Sequence, residues 1–267
     1  MPRQTRRKRN KTQKGGNKLQ ELVEQSRRTG RLDLSNQNLT SLPTIPESVT
    51  VLYCSNNRLT SLPELPPSLK TLSCENNRLF ALPPFPPTLE FLFSSYNQLT
   101  SLPNLPDSMK ILKCASNQLR SLPDLPKELT LLECSKNHIA RLPPLPPKLT
   151  QLDCFSNELT VLPDLPNSLK SLICFMNPFQ DAYLTLLKEP VPLRAIREYQ
   201  AEKRTAKELG RHLIGIRTFE KGKLSNNVVS YMGTLVSGIP RTMNEQLRQT
   251  KEIFQRKPTA SNTGTGV

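Results

Sequence analysis

One pattern, Leu-x-Cys-x-x-Asn-x-Leu-x-x-Leu-Pro-x-Leu-Pro, returns along this chain with a strict period of 20. Its first Leu falls at Leu32, Leu52, Leu72, Leu92, Leu112, Leu132, Leu152 and Leu172. The Asn five places on is Asn57, Asn77, Asn97, Asn117, Asn137, Asn157 and Asn177, with Gln37 in the first unit. Proline pairs close the units, from Pro43/Pro46 to Pro163/Pro166. So short a unit cannot close a core alone, so its apolar face must be buried by stacking on its neighbours. A helical bundle is excluded by the 25 prolines, and their periodicity excludes a low-complexity chain.

The local shape follows from the residue types. Leu-x-Cys is a period-2 apolar alternation and predicts a short strand with both side chains inward. The Asn marks the turn out of the strand, and its amide can satisfy turn N–H and C=O groups as both donor and acceptor. The Leu-Pro-x-Leu-Pro return cannot be helical, because proline fixes φ and drives the residue before it out of the α region. It is expected to run as polyproline II with its Leu or Phe inward. The expected fold is therefore an α/β repeat, a solenoid of about eight units with a parallel sheet on one side.

Charge separates the chain into three parts. Residues 1–31 carry a net +9, residues 32–179 a net −1 and residues 180–267 a net +7, within a total of +15. The expected organisation is a disordered basic arm over 1–16, an N-terminal helical cap over 17–31 with Leu19, Leu22 and Val23 on one face and Gly30 as its stop, and the solenoid over 32–179. A helical region over 180–256 and a disordered tail over 257–267 follow. Helices are predicted from about Leu193 to Arg217 and from Arg241 to Gln255. No stretch approaches the ~18 apolar residues of a membrane span, and the basic N-terminus lacks the apolar run of a secretory signal.

The six cysteines, Cys54, Cys74, Cys114, Cys134, Cys154 and Cys174, share one inward position, with Leu34 and Ser94 in the other two units. Side chains that point in parallel bridge poorly, and a linear row cannot supply a tetrahedral metal site. They are expected to be buried reduced thiols, which fits an intracellular setting. His138 and His212 stand apart from any ligand set. No metal, cofactor or catalytic constellation is expected.

The outward strand positions include Tyr53, Phe91, Phe93, Tyr96, Ile111, Lys113, Leu131, Glu133, Asp153, Phe155, Ile173, Phe175 and Met176. Two apolar clusters emerge, Phe91/Phe93/Tyr96 and Phe155/Ile173/Phe175/Met176, and exposed aromatic patches mark contact sites. The second cluster could equally be covered by the C-terminal helices. The arm holds Arg3, Arg6, Arg7, Lys8, Arg9, Lys11 and Lys14 without an acid. Such a run predicts salt-dependent binding to phosphates; a nuclear-import signal, a nucleic-acid or anionic-surface tether and a solubilising tail all fit it.

The repeat resembles leucine-rich repeats, specifically the short LPX subtype of secreted bacterial effectors of the IpaH and YopM type. Asn177-Pro178-Phe179 before Asp181–Leu187 resembles the Asn-Pro-Leu exit into a helix after the last repeat of those effectors. The resemblance implies a solenoid that grips a protein partner on its concave sheet. It does not extend to the ubiquitin-ligase domain of the IpaH type, whose nucleophile is a cysteine, because no Cys follows Cys174. The arm with Gly15-Gly16 resembles the basic N-termini of proteins of large DNA viruses. The expected function is a non-enzymatic interaction module, effector-like in a host cell, with basic tails that direct it to the nucleus, nucleic acid or an anionic surface. A structural virion or nucleoprotein component, and a substrate adaptor for a ubiquitin ligase acting in trans, are the alternatives.

Overall fold

The computed structural model describes residues 18–179, together with residues 197, 200 and 201. The first stretch lies in the unit Met1–Leu193, and the three further residues lie in a second unit, Arg194–Val267. The expectations for the basic arm, for the exit segment after Phe179, for the helices of 180–256 and for the tail fall outside the described residues, except at those three positions.

Eight three-residue strands recur at the predicted period: β1 (Arg31–Asp33), β2 (Val51–Tyr53), β3 (Thr71–Ser73), β4 (Phe91–Phe93), β5 (Ile111–Lys113), β6 (Leu131–Glu133), β7 (Gln151–Asp153) and β8 (Ser171–Ile173). They form one parallel sheet in sequence order, each pair in register at a step of twenty residues, as in Leu52↔Leu72 and Leu112↔Leu132. Parallel neighbours need a long crossover. Here the proline-bearing return supplies it without helix or strand.

The middle residue of every strand faces the core, and Leu52, Leu72, Leu92, Leu112 and Leu132 are wholly buried. Cys54, Cys74, Cys114 and Cys134 beside them are equally buried, and Leu34 and Ser94 take their place in two units. Each such Leu contributes roughly 1.5–3 kcal/mol of burial that exists only because a neighbouring unit covers it. A further core column was not anticipated: Val49, Leu69, Leu89, Met109, Leu129 and Leu149 are wholly buried, and Leu169 nearly so. Each follows a turn in which its N–H donates to the carbonyl of the unit's second proline, as in Leu69 N to Pro66 O (3.0 Å).

The return segment departs from expectation in detail. Its Leu and Phe are mostly half-buried, whereas the second proline, at Pro46, Pro66, Pro86, Pro126 and Pro146, is buried. Exposure recurs every third residue, at Ser61/Glu64/Pro67, Ala81/Pro84/Pro87 and Arg141/Pro144/Pro147. Three residues per turn is the periodicity of polyproline II.

The asparagines form the predicted ladder. Asn117 Oδ1 accepts from Leu99 N (3.0 Å), and its Nδ2 donates to Ser94 O and Cys114 O (both 3.1 Å). Asn57, Asn77, Asn97, Asn137, Asn157 and Asn177 repeat the arrangement. The Gln37 side chain, with no earlier unit to serve, is exposed and donates only to Ser35 O (3.2 Å), while its backbone N–H donates to Asn57 Oδ1 (3.0 Å).

A second ladder was not legible in advance. Ser68 Oγ donates to Val49 O (3.0 Å) and also to Glu47 O. Thr88, Ser108 and Ser168 bond the unit before them in the same way. In two units the hydroxyl is replaced by Glu128 and Lys148, which pair with each other at 2.6 Å instead.

Residues 18–29 are helical; Ser26 is fully buried, and Leu19, Leu22 and Val23 are half-buried. Gly30 ends the helix with φ 68°, a left-handed conformation that suits glycine, and its N–H donates to Ser26 O (2.8 Å). Thr50 N and Val51 N both donate to Gly30 O (2.7 and 3.0 Å), so the helix leads directly into the first rung.

Candidate binding surface on the open sheet face

The first and third residues of each strand point away from the core and carry the open face. Phe91 on β4, Ile111 on β5 and Leu131 on β6 are in register and half-buried, so three apolar side chains run across adjacent strands. The third positions form a mixed column of Tyr53, Ser73, Phe93, Lys113, Glu133, Asp153 and Ile173. Beyond the strands lies a column of small residues, with Ser95, Ala115 and Ser135 buried, that becomes Phe155 and Phe175 in the last two units.

The predicted residues divide between this face and the turn beside it. Tyr53, Phe91, Phe93, Ile111, Lys113, Glu133, Asp153 and Ile173 stand on strands as expected. Phe155 and Phe175 lie two residues past β7 and β8, with ring centroids 4.6 Å apart and a 51° tilt. Tyr96 and Met176 are not strand residues. They occupy the turn, with φ of 58° and 56°, and are 60% and 66% exposed. That position is Asn36, Asn56 and Asn76 in earlier units, and Asn tolerates the left-handed region better than most residues. An alternation of two would turn positions 96 and 176 inward; it is the turn after the three-residue strand that exposes Tyr96 and Met176.

Charge on the face is paired unevenly. Lys113 Nζ lies 3.0 Å from Glu133 Oε2 across β5 and β6. At the N-terminal end the Arg31 guanidinium sits 4.7 Å over the Tyr53 ring, a cation–π arrangement. Burial pushes the Glu75 carboxyl up, against the pull of Lys113 and with the push of Glu133. Glu75 was missed by sequence reading; its signal is that it stands where Ser55, Ser95, Ala115 and Ser135 stand in other units. Burial also raises the Asp153 carboxyl, opposed by the Phe155 N–H (3.0 Å) and the Ser135 hydroxyl.

The six cysteines are free thiols, and burial pushes Cys54 and Cys114 up to about 12 and Cys174 up to about 11. They are held in the protonated, unreactive form. His138 is exposed, with Nδ1 3.0 Å from Glu158 Oε1. Among the described residues no group of His, Cys, Asp or Glu could hold a metal ion, and no helix is long and apolar enough to cross a membrane. Arg3, Arg6, Arg7, Lys8, Arg9, Lys11 and Lys14, and also His212, lie outside the described residues.

No family profile and no curated protein matches the chain. Solved structures do. YopM of Yersinia pestis, a leucine-rich effector protein, is 42% identical with a TM-score of 0.57, over 59% of this chain and 46% of that one. YopM from Yersinia enterocolitica WA-314 is 41% identical with a TM-score of 0.55, over 55% of this chain and 33% of that one. The chain thus spans less than half the length of either YopM. The leucine-rich-repeat domain of a Shigella effector is 32% identical with a TM-score of 0.57, over 64% of this chain and 81% of that domain. An eight-strand parallel ladder stepped by twenty residues, an Asn at the turn of seven units and this coverage of the Shigella domain together place the chain in the effector-type leucine-rich-repeat family.

Proposed function

We propose that this chain is a non-enzymatic interaction module of the short LPX subtype that binds a protein partner on the open face of its sheet. The observation that carries the reading is the column Phe91, Ile111 and Leu131, with Phe93 beside it, which is held half-exposed although the fold has no use for apolar groups there. Large aromatic side chains on a rigid scaffold are the usual anchors of protein interfaces. The likeness to bacterial effectors supports an effector role inside a host cell, and the reduced thiol column supports a reducing compartment. The arm Arg3–Lys14 supplies the charge for nuclear import or for a tether to nucleic acid or an anionic surface.

Proximity labelling in cells with the native chain and with a Phe91→Ser/Phe93→Ser variant tests the reading. Leu92 between them stays buried, so the variant is expected to fold. A set of labelled proteins should drop out with the variant. Identical labelled sets from the two chains would overturn the open face as the contact. Deletion of residues 1–16 should shift the compartment while that protein set is retained.

A further inference from the structure

The last two strands bring unlike groups together. Asp153 on β7 stands in register between Glu133 and Ile173. Two residues along, Phe155 and Phe175 lie as a tilted ring pair 4.6 Å apart. Glu133 has its cation in Lys113, but among the described residues Asp153 has no ion-pair partner. Its carboxylate receives only the Phe155 N–H (3.0 Å) and the Ser135 hydroxyl, and it is half-buried. An anion withdrawn from water without a direct ion pair is costly; burial raises its pKa, and the Lys136 charge offsets this only in part. At the opposite end of the sheet Arg31 rests over Tyr53 of the adjacent strand, so this scaffold already seats a guanidinium on an aromatic ring.

We propose that β7 and β8 bind an arginine side chain of the protein partner, its guanidinium held between the Asp153 carboxylate and the Phe155–Phe175 rings. Arginine fits better than lysine, because its planar fork pairs with a carboxylate and stacks on an aromatic face at once. Ile173 and the exposed Met176 offer apolar surface to its methylene stem. A phosphate-bearing ligand is disfavoured here by the same carboxylate. This inference rests on the open face being the partner surface and names the chemistry of one contact on it.

The test titrates the full chain with acetyl-Leu-Arg-Leu-amide and with the same peptide carrying citrulline, which keeps the shape and loses the charge. Carbon-13 methyl resonances of Ile173 and Met176 report binding. The arginine peptide should shift both signals to saturation, and the citrulline peptide should bind at least about tenfold more weakly. Asp153→Asn and, separately, Phe155→Leu should each weaken the arginine peptide by about tenfold or more. The Phe155→Leu arm removes the ring at nearly constant apolar character and stands alone should the other variant fold poorly. Equal binding of the two peptides, absent shifts, or variants that bind like the native chain would overturn the site. The Phe91→Ser/Phe93→Ser chain should take the peptide normally. Loss of its cellular contacts alongside failed peptide binding sinks the arginine site alone. Peptide binding with unchanged cellular contacts sinks the β4 contact instead.

Discussion

The inward and outward columns of the same strands obey different rules. Inward, one residue type repeats at each position: Leu at every strand centre, Cys or a substitute two places on, Asn at the turn of every unit but the first. Outward, the column from Tyr53 to Ile173 holds two aromatics, a hydroxyl, a cation, two acids and an aliphatic group in seven consecutive units. The difference comes from what each side must satisfy. An inward group meets the same neighbours in every rung, so only one solution packs. An outward group meets water or a partner, and the fold leaves its identity free. Uniformity at a fixed period therefore reports the scaffold, and variation at that period reports the surface available for recognition.

The largest effect that could break this contrast is on the ladder. Asn117→Ala strands Leu99 N–H inside the protein and takes one of the two Asn bonds from each of Ser94 O and Cys114 O, and should cost roughly 1–3 kcal/mol in urea unfolding. Gln37→Ala, at the same place in the first unit, should cost almost nothing, since its side chain is exposed and bonds only Ser35 O, and its backbone bond to Asn57 survives the substitution. Equal losses at the two sites would show that the ladder does not explain the uniformity.

This ladder was legible because seven copies of one polar residue at one spacing admit a single physical role. The strand centres and the thiol column were legible for the same reason. The column from Val49 to Leu169 was missed because it follows the proline turn, outside the obvious motif, and mixes Val, Leu and Met. Tyr96 and Met176 were misplaced on the strands because the left-handed turn that exposes them lies outside the period of two. On the open face, residue types could be assigned but not pairings. That Lys113 pairs with Glu133 while Asp153 forms no direct salt bridge depends on side-chain geometry, which spacing does not carry.

A smaller effect sharpens the contrast from the outward side. Burial raises the Asp153 carboxyl above its unfolded value, so the charged form burdens the native state and the burden vanishes on protonation. Asp153→Asn keeps an acceptor for the Phe155 N–H and should raise Tm slightly near pH 7. The gain should shrink as pH falls through the raised folded value and be gone below the ordinary carboxylate value. A gain independent of pH, or a loss, would mean that Asp153 serves the fold after all.

The smallest effect concerns the broken hydroxyl ladder. Glu128→Ser restores the group found at Ser68, Thr88 and Ser108 and removes a pair whose side chains are 47% and 57% exposed. Exposed pairs contribute little, so the unfolding free energy should change by no more than about 0.5 kcal/mol. A larger loss would make that pair part of the scaffold.

The register of the sheet has a consequence for how such a chain can change. Because every rung offers its successor the same carbonyls, amides and apolar knobs, a twenty-residue segment can be excised or duplicated anywhere between β2 and β7 and both cut surfaces still match. Gene-level recombination between near-identical copies would then lengthen or shorten the rod without an unfolded intermediate form. The span between the proposed contacts at Phe91 and Asp153 becomes a ruler adjustable one notch at a time.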